Sequence, residues 1–145
     1  MKRTIASILC IILLFTCLTI NVGAETIQNI EYFEDGSYVV TELVVSSPLA
    51  RTAKSGSKTS TYYNSSNTAI FSVTLTGRFD YTYGTSAKAT GASVSVNVYD
   101  SSATYVTKSA TYGSATAYGS GTVSYLGYSR TLNVKITCDI YGNLT

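Results

Sequence analysis

The chain has 145 residues, with ten lysines and arginines against eight aspartates and glutamates, and neither histidine nor tryptophan. Without histidine there is no Ser-His-Asp or Cys-His catalysis, and the commonest zinc ligand is missing. A net charge of only +2 lacks the basic surface on which nucleic-acid binding depends.

The first residues, "MKRTIASILCIILLFTCLTINVGAE", read as a secretory signal. Lys2 and Arg3 form the charged end, Ile8 to Ile20 the apolar stretch, and Val22 and Ala24 the small residues before a cut at Glu25. Residues 1–24 are therefore expected to be a signal-peptide helix that leaves no stable transmembrane segment after cleavage. An uncleaved anchor is the alternative, because about 20 apolar residues can cross a bilayer. A lipid anchor at Cys17 is rejected, since Phe15 stands where a small residue is needed. Cleavage also removes Cys10, leaving Cys138 as the one cysteine, so the domain is expected to be disulfide-free. Losing Lys2 and Arg3 leaves eight basic residues against eight acidic ones, near neutrality.

Residues 25–45 carry five acids and no base. Within them "IEYFEDGSYVVTELVV" sets Asp35-Gly36 between two strand-like runs, which predicts a β-hairpin. A pro-segment and a free acidic tail are the other readings of this stretch. Residues 46–57, around the chain's one proline, read as a linker.

From residue 58 to 145 the pattern is strand after strand. "TAIFSVTLTGRFDYTY" alternates Ala69, Phe71, Val73, Leu75, Phe79 and Tyr81 with Ser72, Thr74, Thr76, Arg78 and Asp80. "ASVSVNVY" turns Val94, Val96 and Val98 inward, and "YSRTLNVKITCDI" does the same with Leu132, Val134, Ile136, Cys138 and Ile140. Turn residues fall at 64–67, 84–86, 100–102, Gly113 and Gly127. The prediction is an all-β antiparallel β-sandwich, immunoglobulin-like or a meander.

The segments "EYFEDGSYVVTEL" and "KSGSKTSTYYNSSNTAIFSVTLTGRFDY" resemble a group of uncharacterised small secreted β-rich proteins of clostridial-type Gram-positive bacteria. The resemblance implies the compartment and the fold and carries over no functional residue.

Among individual residues, Cys138 shares strand parity with Val134 and Ile136 and reads as core rather than as a reactive thiol. The acids Glu31, Glu34, Asp35, Glu42, Asp80, Asp100 and Asp139 show no spacing that marks a glycosidase pair. Calcium would need clustered oxygen ligands, and "YDSSATY" and "CDIYGN" offer one aspartate each. No catalytic residue, metal ligand or cofactor is assigned.

Tyrosine is the abundant contact residue, with thirteen copies. Tyr99, Tyr105, Tyr112, Tyr118 and Tyr125 follow each other at alternating steps of six and seven residues, a period of thirteen that measures one strand plus its turn. Parity places Tyr125 and Tyr128 inward and Tyr99 and Tyr118 outward, so Tyr99 and Tyr118 are the candidate binding residues. The expected function is a secreted, non-enzymatic module that binds an extracellular glycan, cell-wall polymer or protein. The alternative is a membrane-active or self-assembling protein, for which "SATAYGSGTVSYL" is the best segment because its Ala and Gly face looks too small for a core strand. A hydrolase is the least favoured reading.

Overall fold

The computed structural model describes residues 26–46 and 52–145, and within them the chain is all-β. Eight strands follow one another: β1 (Thr26–Tyr32), β2 (Tyr38–Ser46), β3 (Ala53–Tyr63), β4 (Ala69–Thr82), β5 (Ser86–Val98), β6 (Ala103–Gly113), β7 (Thr116–Tyr125) and β8 (Tyr128–Thr137). The first five form one antiparallel sheet in sequential order, and the last three form a second. Sequential order in both sheets makes the sandwich a meander rather than the Greek key of an immunoglobulin domain. The expected signal-peptide helix over 1–24 lies outside the described residues.

The acidic hairpin forms where Asp35-Gly36 predicts it. Gly36 adopts φ 79°, and the Phe33 amide donates to the Ser37 carbonyl at 2.9 Å. It is not an appendage, because β2 pairs with β3 along its full length, from Tyr38↔Tyr63 to Ser46↔Ser55. The expected linker over 46–57 is corrected at both ends, since Ser46 closes β2 and β3 begins at Ala53, while residues 47–51 lie outside the described residues. Ser, Gly and Lys in that run suggest a loop by composition. Here residues 55–57 have ladder partners on both sides, in β2 and β4, and small size is what the site requires. A Cβ on Gly56 would stand 2.6 Å from the Leu144 side chain.

The core lies between the sheets. Phe71, Val73, Leu75 and Phe79 of β4 are sealed from solvent, as are Ala117 and Val123 of β7 and Ile136 of β8. Ile70 and Phe71 are both buried although they are adjacent in sequence. The register explains this: Tyr62 pairs with Phe71 and Tyr63 with Ala69, so Ile70 is the extra residue of a bulge that turns its side chain inward. Cys138 is a buried free thiol, pushed above its usual range first by burial and then by the Asp139 charge, which fits a core residue.

The small face of β7 is where the structure departs furthest from expectation. Ala117, Gly119, Gly121 and Val123 are buried, and they lie directly over β4. A Cβ on Gly77 would approach Ala117 at 3.2 Å, one on Gly119 would meet Leu75 at 3.2 Å, and one on Gly121 would meet Val73 at 2.6 Å. Gly119 and Gly121 thus oppose large residues across the two sheets, and Gly77 opposes Ala117. The face judged too small for a core strand is the one that lets the sheets close.

Candidate functional site

Four turns meet at one end of the sandwich: 33–37, 64–68, 99–102 and 126–127. Seven of the thirteen tyrosines gather there. Tyr32 closes β1 and Tyr38 opens β2, Tyr62 and Tyr63 close β3, Tyr99 follows β5, Tyr125 closes β7 and Tyr128 opens β8. On the outer face of the larger sheet Tyr32, Tyr38 and Tyr63 occupy one cross-strand row. Tyr38 and Tyr63 stack at 4.8 Å, and Tyr32 leans on Tyr38 at 5.4 Å.

Between the sheets, at the same end, opens a cleft of about 320 Å³. Its aromatic walls are Tyr62, Tyr125 and Tyr128, its polar groups come from Asp35, Ser37, Asn64, Ser65 and Arg130, and Leu126 stands at its rim. Tyr62 is buried and meets Tyr125 edge to face at 6.5 Å. The Arg130 guanidinium lies 5.6 Å from the Tyr62 ring centre, within cation–π range. Arg130 also reaches Asp35 at 3.6 Å across the sheets, so the acidic hairpin and the basic body meet at this cleft.

The polar groups are held by their own turns. Asp35 Oδ1 accepts from the Ser37 amide at 2.9 Å and from the Ser37 hydroxyl. These donors, and then Arg130, hold the Asp35 carboxyl below the usual carboxylate range. Asn64 Oδ1 accepts from the amides of Ser66 at 3.0 Å and Thr68 at 2.9 Å, which aims its Nδ2 at the Tyr125 hydroxyl, 3.5 Å away. The arrangement supplies flat apolar ring surface, an anion paired with a cation, and an amide donor with capacity to spare. Asp35 is the one acid among the lining residues.

Strand parity fixes the direction of one of these residues but not its exposure. Tyr128 lies on the inward-facing side of β8 as expected, but it is 71% exposed. Parity fixes which way a side chain points and not whether anything covers it. Tyr128 pairs with Tyr125 on the last rung of the β7–β8 ladder, and there it and Arg130 form cleft wall instead of core. Tyr125 does pack against the core.

The two residues singled out from the sequence are both exposed, Tyr99 at 56% and Tyr118 at 47%, and the structure does not bring them together. Tyr99 covers Ser72 on the outer face of β4, sharing a 2.8 Å hydrogen bond with its hydroxyl. Tyr118 stands in the middle of the smaller sheet, on a separate open cleft of about 460 Å³. Thr111 and Lys135 share its cross-strand row, and Ser109, Ser120 and Asn133 make the next. That cleft is the larger, but it offers one ring where the end cleft offers three.

The end cleft carries a local strain that sequence inspection passed over. Leu126 and Gly127 form a two-residue hairpin turn with φ of 50° and 80°. Such a turn favours Asn-Gly, and a left-handed leucine costs about 1–2 kcal/mol. Leu126 is also 66% exposed, so burial does not offset that cost. Leu126→Asn is expected to stabilise the protein by about 1 kcal/mol, read as a higher midpoint in urea at unchanged slope.

Comparison with protein-family models, with curated proteins and with solved structures finds no match to this chain.

Proposed function

We propose that the protein is a secreted, non-enzymatic binding module whose end cleft holds a saccharide unit of an extracellular or cell-wall glycan. The convergence of Tyr62, Tyr125 and Tyr128 on the Arg130–Asp35 pair supports this reading most directly. A pyranose ring has an apolar C–H face that suits tyrosine and vicinal hydroxyls that suit a paired donor and acceptor. The rigid Asx turns at Asp35 and Asn64 reduce the ordering cost of binding. The near-neutral charge favours an uncharged glycan over a polyanion.

A glycan array followed by calorimetry on the best ligand tests the proposal. Tyr128→Ala removes an exposed ring and is expected to weaken binding about three- to tenfold, an aromatic contact being worth about 0.5–1.5 kcal/mol. Its circular dichroism and melting should match the parent protein. A blank array would transfer the cleft to a protein ligand. Release of dye from liposomes by the protein would favour the membrane-active alternative instead.

A further inference from the structure

β1 is exposed along all seven residues, on both faces. It is also the outer strand of the larger sheet, so one row of its backbone groups has no partner strand among the described residues. Edges of this kind pair with other strands unless something blunts them, commonly lysine, proline, a bulge or a covering loop. "TIQNIEY" has no lysine, no proline and no glycine, and its register with β2 runs without a bulge. Ile27 and Ile30 are about half exposed, one on each face.

The ladder fixes which groups are free. The Phe33 amide bonds to the Ser37 carbonyl, so in the alternation of an antiparallel pair Tyr32, Ile30, Gln28 and Thr26 aim their N–H and C=O groups away from β2. An incoming antiparallel strand must present the same parity. A second β1 does so when the two strands are centred on Asn29. Thr26 then opposes Tyr32 and Gln28 opposes Ile30, each through backbone groups that are free in both copies. This register pairs all seven residues. It sets Glu31 opposite Ile27 and keeps the two Glu31 carboxylates apart. It also brings the two Ile30 side chains together diagonally.

We propose that two copies of this chain join through β1, antiparallel about a two-fold axis at Asn29, to make one continuous ten-stranded sheet. The pairing does not depend on the glycan reading. If both hold, the axis sends the two end clefts to opposite ends of the dimer, which suits cross-linking of a polymer.

The register gives a direct test. Centring on Asn29 makes that residue its own partner in a non-hydrogen-bonded pair, with Cα atoms about 4.5 Å apart, close enough for a disulfide. In a Cys10→Ser, Cys17→Ser background, Asn29→Cys is expected to convert to a covalent dimer under mild oxidation. Glu31→Cys is expected to stay monomeric on a denaturing gel, because its two copies lie four residues apart along the strand, on the order of 13 Å. Sedimentation should show a dimer for the parent protein and a monomer for Ile30→Lys and Ile30→Pro, both still folded by circular dichroism. The proline removes an N–H that β2 does not use, so folding survives it. A parent monomer, equal cross-linking at positions 29 and 31, or a dimer that persists in both Ile30 variants would each overturn the proposal. Cross-linking at 31 alone would place the axis elsewhere and overturn it as well.

Discussion

Replacing Phe71 by alanine is expected to destabilise the fold by about 3–5 kcal/mol, measured by urea denaturation followed by circular dichroism. The ring is sealed from solvent. It sits beside Tyr62 of β3 at 5.9 Å, opposes Val98 of β5 in the ladder, and joins the cluster that contains Val123 of β7. Truncation would remove the transfer free energy of a benzyl group and leave a void that three strands cannot easily fill. The loss matters because small domains are stable by only about 5–15 kcal/mol. The one cysteine among the described residues is a free thiol, so no cross-link there limits the unfolded state. Phe71→Leu is expected to keep more of the stability than alanine does, since it retains most of the side-chain volume. Equal losses for leucine and alanine would show that ring shape, rather than cavity formation, sets the cost.

Much of this architecture was legible in the sequence because strands buried on one face write their burial as alternation. Val73 and Leu75, or Val134 and Ile136, announce a face two residues at a time. The Asp35-Gly36 turn was equally plain, since few dipeptides take left-handed backbone without strain. Three features were not legible, each for a physical reason. The strand at 53–57 is made of residues with no strand preference and exists through its partners, Ser46 pairing with Ser55 and Gly56 with Gly77. Tyr128 points inward, yet coverage depends on how far the opposite sheet extends, which no single strand records. The end cleft joins Asp35, Asn64 and Arg130 from three separate turns and strands, so its constellation exists only once the meander is folded. The best sequence signal for it was available in outline, as tyrosines flanking turns: 32 and 38 around one, 125 and 128 around another, and 62 and 63 just before a third. The attention given to Tyr99 and Tyr118 followed outward parity, which selects exposed faces and passes over clefts at the ends of strands.

The close approach of the two sheets sets up the second large effect, at Gly119. Gly119→Val is expected to cost about 3 kcal/mol, although valine is among the best strand formers and glycine among the worst. Intrinsic preference alone would predict a gain of up to about 1 kcal/mol. Packing decides against it, because even a Cβ at this position would stand 2.4 Å from a Val94 methyl and 3.2 Å from Leu75. Neither neighbour can withdraw, since Leu75 is sealed in the core and Val94 packs against it. Relief must come from parting β7 from β4, which would loosen Val73 and Ala117 as well. Gly113 provides the internal control: it lies in the adjoining strand, has ordinary backbone, and a Cβ there would meet nothing within 4 Å. Gly113→Val should therefore follow propensity and leave the protein unchanged or slightly more stable. A double-mutant cycle isolates the contact itself. Val94→Ala alone should cost about 1 kcal/mol, but in the Gly119→Val background it should recover stability by clearing the methyl group that blocks the new side chain. Additive losses at 94 and 119 would mean that the sheets do not meet at this point, and the small-against-large register of β7 on β4 would have to be abandoned.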